Sequence, residues 1–237
     1  MKKLLLLALV IPFAATAQTD EKADSAFIKS ISDNIFISRS SYYNLYDLTK
    51  HVGGRLAGSP QMVKAEQWGY NAMKAAGADN VVLQECMVPH WVRGGKDLAS
   101  VSYASNGQTV TVPVNVFAIG NSVGTGAKGV EAQVMRVNNF DELEKRKNEV
   151  KGKIVFYNVP FEDEFIQTFR AYGKNVVYRG IGASRAAKYG AVAVMVRSMT
   201  NAMDNNPHTG ALRYLDSLPK IPAVAVGVRD VEKLDTL

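Results

Sequence analysis

The sequence predicts an α/β protein in two unequal regions. Three observations carry that reading. An α–α–β opening stands without a sheet partner of its own. From about residue 95, short apolar strands alternate with helices. Glycine- and asparagine-bearing turns separate them.

Hydrophobic residues make up 47% of the 237 and charged residues 21%, which places the chain among ordinary globular proteins and excludes the disordered class. No basic run is interleaved with aromatic residues, so no nucleic-acid surface is expected. The densest charge cluster, Asp141 to Lys153, mixes both signs and reads as a solvated helix face.

The first 17 residues have the form of an export signal. Lys2-Lys3 supplies the positive end, and Leu4 to Phe13 a short apolar run. Ala15-Thr16-Ala17 offers small residues for cleavage before Gln18. The run is too short for a membrane-spanning helix, and no other stretch could cross. The formal charge is +6, or +4 once Lys2 and Lys3 are removed. An exported protein is expected, periplasmic or secreted, with no membrane attachment after the signal is gone. Cys86 is the only cysteine, so no internal disulfide can form. It is expected to be buried packing in a strand.

Residues 18–34 are polar and are expected to be loosely ordered. Ile35 to Lys50 carries Leu45 and Leu48 at helical spacing. Three glycines then break the chain between His51 and Gly58, and Ser59-Pro60 starts the next helix as cap and first residue. Ala65, Trp68, Ala72 and Met73 line one face of it, and Gly77 stops it. Val81 to Val88 reads as a strand.

After the glycine bend at Gly94-Gly95, strands are expected at Leu98 to Tyr103, Val110 to Ile119 and Val130 to Val137. Asn139 with Glu142 caps a helix from Asp141 to Asn148. Lys153 to Tyr157, a helix from Ile181 to Tyr189 and Ala191 to Val196 form a β–α–β unit whose connection, residues 158–180, reads as irregular. Ile221 to Val226 is a last strand, and Asp230 opens a helix that is still running at Leu237, a pattern expected of a truncated sequence.

Gly124, Gly126 and Gly129 fit G-x-G-x-x-G, but a strand-like run follows where a dinucleotide site needs a helix, so the motif is read as a turn. No Gly-x-Ser-x-Gly elbow is present. The three histidines, His51, His90 and His208, lack metal-ligand spacing, so no metal residue is assigned. Two segments ask for more than a structural reading. Pro89 to Gly95 packs His90, Trp91 and Arg93 between a strand and a bend. Asn205 to Gly210 is a polar loop with His208 after a strand end. Loops at strand ends are where substrate groups are commonly held, so His90, Arg93 and His208 are the candidate substrate residues.

These same segments carry a resemblance. Val-Gly-Gly-Arg-Leu-Ala-Gly-Ser-Pro (52–60), Val-Pro-His-Trp-Val-Arg-Gly (88–94), Phe-Asp-Glu-Leu (140–143), Lys-Gly-Lys-Ile-Val-Phe-Tyr-Asn (151–158), Pro-His-Thr-Gly (207–210) and Lys-Ile-Pro-Ala-Val (220–224) occur in that order. Together they resemble the front half of the carboxypeptidase Q family of secreted di-zinc exopeptidases, over roughly residues 40 to 237. The resemblance implies that residues 18–94 begin an α/β zinc-peptidase domain. It implies that residues 95–237 are an inserted mixed β/α domain of the protease-associated (PA) type, cut short at its end.

The family holds two zinc ions with His, Asp and Glu residues on later strands, and the metals activate the attacking water. None of those ligand motifs is present, and all would lie beyond Leu237. No catalytic residue is therefore assigned. Zinc is expected in the full-length parent and not in this chain, which alone is expected to be inactive. Peptide substrates, a carboxypeptidase or dipeptidase preference and a homodimer are further implications of the resemblance.

A second reading takes the chain as a non-catalytic PA-type module that binds peptides or a partner protein through the His90 and His208 loops. The helix bearing Trp68, Ala72 and Met73 would expose an apolar face without the rest of its sheet. Residues 18–92 are accordingly expected to be poorly ordered or prone to associate.

Overall fold

The computed structural model describes residues 20–236, so the expected leader, residues 1–17, lies outside the described residues. The chain divides into two units that part after Pro89, ahead of the boundary expected after Gly94.

The first unit is helical. Helix α1 (Glu21–Ser38) corrects the expectation of loose order, made for residues 18–34, over the part of that stretch it covers. Its reasons are local. Asp20 caps it, accepting from Ala23 N–H at 3.2 Å, Glu21 and Asp24 sit in the positive first turn, and Lys29 pairs with Asp33 at 2.8 Å. The single helix expected from Ile35 to Lys50 is broken at Arg39, which takes the left-handed conformation at φ 51°. Helix α2 (Ser40–Asp47) and a π-turn (Leu48–Val52) follow.

Helix α3 (Pro60–Ala75) begins as the Ser-Pro pair predicts, with Ser59 Oγ accepting from Met62 N–H at 3.1 Å, and Gly77 follows its end at φ 88°. Residues 81–88 form no strand, because none of the described residues pairs with them. Cys86 is exposed, which corrects the expectation of a buried residue. Among the described residues of this unit only Ala65 is buried, while Phe27, Ile28, Ile31 and Ile35 of α1 all face solvent.

The second unit is a sheet covered on both faces. Strands β1 (Ala99–Ser105) and β2 (Gln108–Val114) pair as an antiparallel hairpin. Its two-residue turn, Asn106-Gly107, has positive φ at both positions, the geometry that matches strand twist. The apolar run read as one strand from Val110 to Ile119 is two. Asn115 separates β2 from β3 (Val116–Ala118), which joins a different sheet. That sheet holds β4 (Val134–Val137), β5 (Ile154–Tyr157), β6 (Ala193–Arg197) and β7 (Ala223–Val226) in the order β3-β7-β6-β5-β4. Only β3 is antiparallel.

Side chains alternate across it. Val155, Tyr157, Val194, Val196 and Ala225 point into one core with helices α4 (Phe140–Lys145) and α5 (Thr168–Ala187). Phe156, Met195 and Val226 point into another, closed by the hairpin and by α6 (Val228–Asp235). Burial on both faces explains why β5 and β6 read as unbroken apolar runs. Asn139 caps α4, its Oδ1 accepting from Glu142 N–H at 2.7 Å.

Helix α5 starts at Thr168, well ahead of the expected Ile181. Gly173, Gly180 and the Val176-Val177 pair lower its intrinsic propensity, so the sequence reads as irregular. Burial of Ala183, Ala186 and Ala187 in the core beside the sheet, and of Ala171 and Asn175 further up the helix, overrides that weakness.

Candidate functional site at the carboxyl ends of the parallel strands

In open parallel sheets ligands are met where the strands end and the loops begin. Here that rim is formed by Asn138 after β4, Asn158 after β5 and Ser198 after β6, together with the loop from Ser198 to Pro222 that carries His208.

Three groups fix this loop. Ser198 is fully buried. Its hydroxyl donates to Val226 C=O at 2.7 Å and accepts from His208 N–H at 2.8 Å, so the strand end and the loop share one oxygen. Arg179 on α5 is also buried and donates through Nη1 to Thr209 C=O at 3.0 Å and through Nη2 to the Tyr172 hydroxyl. A Cβ at position 210 would meet the Arg179 Cζ at 2.6 Å, which is why the residue there is glycine. Asn175, one turn earlier on α5, donates to Val159 C=O at 3.3 Å and Pro160 C=O at 2.9 Å in the loop after β5. One polar stripe of α5 therefore holds both loops.

The base of the loop is closed by an Asx turn, in which Asp204 accepts from Asn206 N–H at 3.0 Å. That backbone donor, with the Asn206 side chain, holds the Asp204 carboxyl below its ordinary range. Asp230 on α6 is subject to opposed effects. Burial raises it, but the N–H of Asn115 and the side chains of Asn205 and Lys233 outweigh burial, and its pKa is lowered.

A polar row runs along the rim. Arg197 Nη1 donates to Asn158 Oδ1 at 3.2 Å, and Asn158 Nδ2 donates to both oxygens of Asp235 at 2.9 Å. Arg136 pairs with the same carboxylate at 3.0 Å. The row fastens α6 to the ends of β5 and β6.

The three candidate substrate residues are placed differently from one another. His90 is exposed. His208 is half-buried in the fastened loop and is tied through its backbone N–H. The Arg93 guanidinium lies 3.9 Å from the Phe117 ring centre and 4.9 Å from that of Trp91. It donates to Ala118 C=O at 3.0 Å and pairs with Asp97 at 3.3 Å, while Trp91 Nε1 donates to Ser122 C=O at 2.9 Å. Arg93 therefore meets the strand β3 and not the His208 loop. Ser198, Arg179 and Asn175 carry no signal in the sequence, since each reaches the loops it holds from a distance along the chain.

A di-zinc centre does not fit the side chains present. Among the described residues no three His, Cys, Asp or Glu side chains converge closely enough to hold a metal ion. His51 belongs to the first unit, where it bonds to Asp47, which also accepts from Trp68 Nε1. The His51 hydrogen bond, then that of Trp68, holds the Asp47 carboxyl below its usual range. His90 and His208 belong to the second unit. Among the described residues no helix is long and apolar enough to cross a membrane.

Comparison with known proteins places this architecture. No family profile matches the chain. Carboxypeptidase Q from Mus musculus is 36% identical over 197 residues, covering 83% of this chain and 39% of the relative. Carboxypeptidase Q from Homo sapiens matches with the same identity and coverage. The crystal structure of a peptidase M28 precursor from Shewanella amazonensis SB2B superposes with a TM-score of 0.82 at 28% identity, over 91% of this chain and 47% of that one. The chain thus spans about two fifths of the length of the curated relatives. It belongs to the carboxypeptidase Q-like peptidases of the M28 family.

Proposed function

We propose that this chain is the N-terminal part of an exported zinc-dependent exopeptidase of carboxypeptidase or dipeptidase type, acting on dipeptides or short peptides. The supporting observation is the 36% identity to carboxypeptidase Q over 83% of this chain but only 39% of the relative. On this reading the first unit begins the peptidase domain, and the second is the PA-type domain set into it. Metal ligands and catalytic groups come from residues other than those described, so no chemical step is assigned to this chain. Its contribution is to bind and orient. The His208 loop, fastened by Ser198 and Arg179, and the exposed His90 are its substrate-facing parts, and Arg93 sets the path of the segment that carries His90.

Two measurements test the proposal. The 237 residues should hold no stoichiometric zinc and release no amino acid from a panel of dipeptides. A product extended by the reading frame beyond the codon for Leu237 should do both and lose turnover to a chelator. Chelator-sensitive turnover by the 237 residues themselves would overturn it.

One observation favours a second reading. Both core clusters are drawn wholly from the second unit, as a free-standing module requires. In that case the chain is a non-catalytic PA-type binding module. A stop codon directly after Leu237, with retained peptide binding, supports the module over the peptidase.

A further inference from the structure

Each outer strand of a sheet presents a row of backbone N–H and C=O groups that can pair with another strand, whether from a peptide or from a second copy of the chain. In the five-stranded sheet those outer strands are β3 and β4.

On β3, Ile119 N–H donates to Ala223 C=O, so odd-numbered residues face β7 and Ala118 faces outward. Both outward groups of Ala118 are occupied by side chains. Its N–H donates to Asp97 Oδ2 at 2.8 Å, and its C=O accepts from Arg93 Nη2 at 3.0 Å. Arg93 and Asp97, four residues apart, are themselves paired at 3.3 Å.

The far edge repeats the device with different residues. Ile154 N–H donates to Gln133 C=O and Asn158 N–H to Val137 C=O, which turns Arg136 and Asn138 outward from β4. There Arg136 C=O accepts from Arg146 Nη1 at 3.0 Å, and Asn138 N–H donates to Glu142 Oε2 at 2.8 Å. Glu142 and Arg146, again four residues apart, pair at 3.1 Å. The Asn138 N–H is the foremost cause of the lowered pKa of Glu142, and Glu149 and Glu142 raise that of Arg146.

We infer that these two Arg–carboxylate pairs are strand surrogates, each offering one donor and one acceptor to an outer strand and so closing the sheet to strand addition at both edges. Arginine suits the task because its fork stays charged and can serve a carbonyl and a carboxylate together. The five-stranded sheet then does not take up a peptide or a second copy by extension at β3 or β4. This goes beyond the peptidase reading and stands or falls independently of it, since the test below involves no turnover.

The test uses the full chain with Cys86→Ser and Val134→Cys, which leaves one thiol on β4 at a partly exposed position. A bis-maleimide spanning ~10 Å reaches a partner strand in several registers, because paired strands lie about 4.8 Å apart. Adding Glu142→Val and Arg146→Val opens the edge. Cross-linked dimer is expected to rise about tenfold over the background chain, the response to a gain of about 1.4 kcal/mol in association. Equal cross-linking with the edge closed and open, with near-ultraviolet circular dichroism retained, overturns the inference. Should the double variant lose its native spectrum, the helix-favouring pair Glu142→Ala and Arg146→Ala, which also removes both the acceptor and the donor, takes its place, and the same two outcomes decide.

Discussion

Replacing Ser198 by Ala removes one hydroxyl and tests how the His208 loop is held. The hydroxyl of the fully buried Ser198 bridges Val226 C=O at 2.7 Å and the N–H of the half-buried His208 at 2.8 Å. Val226 C=O keeps a second donor, the Ser198 N–H at 3.0 Å, so its loss is small. The His208 N–H has no such reserve among the described residues. Leaving a buried donor unpaired costs about 1–3 kcal/mol, and the expected loss is therefore roughly 2 kcal/mol. For a protein of this size each kcal/mol lowers Tm by about 2–4 °C, which gives a drop of about 4–8 °C. Melting followed by circular dichroism measures the drop. Hydrogen exchange at the His208 amide locates it, and that amide should exchange far faster in the variant. A Tm within about 1 °C of the parent, with His208 still protected, would show that the loop is held by other means.

The remaining predictions address neighbouring features. Gly210→Ala should destabilise by about 1–3 kcal/mol through overpacking, since its Cβ meets Arg179 at 2.6 Å; a double-mutant cycle with Arg179→Ala should return part of the loss, and strict additivity would refute the contact. Asp230 has a lowered pKa when folded, so its contribution is present above the ordinary value of 3.8 and fades as pH falls through the lowered one. Acid unfolding followed from pH 5 to 2 should therefore show a shallower decline for Asp230→Asn than for the parent, and parallel curves would count against it. Limited proteolysis should cleave the first unit, where only Ala65 among the described residues is buried, well before the second; equal protection would refute that contrast.

The parts of the fold legible in the sequence are those whose cause is local or periodic. Ser59-Pro60 and Gly77 frame α3 through backbone rules, and the apolar runs of β5 and β6 announce strands covered on both faces. What stayed hidden depends on partners distant in sequence. Residues 81–88 have strand composition, yet a strand exists only when another accepts its hydrogen bonds. Helix α5 hides for the opposite reason, its glycines and valines being outweighed by contacts with the sheet.

The candidate site follows the same division. His208 stands out as a histidine in a polar loop after a strand. The groups that fasten the loop do not. Ser198 reaches it across 10 residues of sequence and Arg179 across 30, and no spacing rule points to either. Arg93 was conspicuous beside Trp91, but its bond to Ala118 across 25 residues could be found only from the sheet.

The chain has two tryptophans, and the structure gives one to each unit: Trp68 against Asp47 in the first, and Trp91 against Ser122 in the second. Each indole is thus an optical probe of a different half. A Trp68→Phe protein would report by its emission only on the sheet-bearing half, and a Trp91→Phe protein only on the helical one. Two denaturation curves recorded at a single wavelength would then tell whether the halves melt together or one after the other.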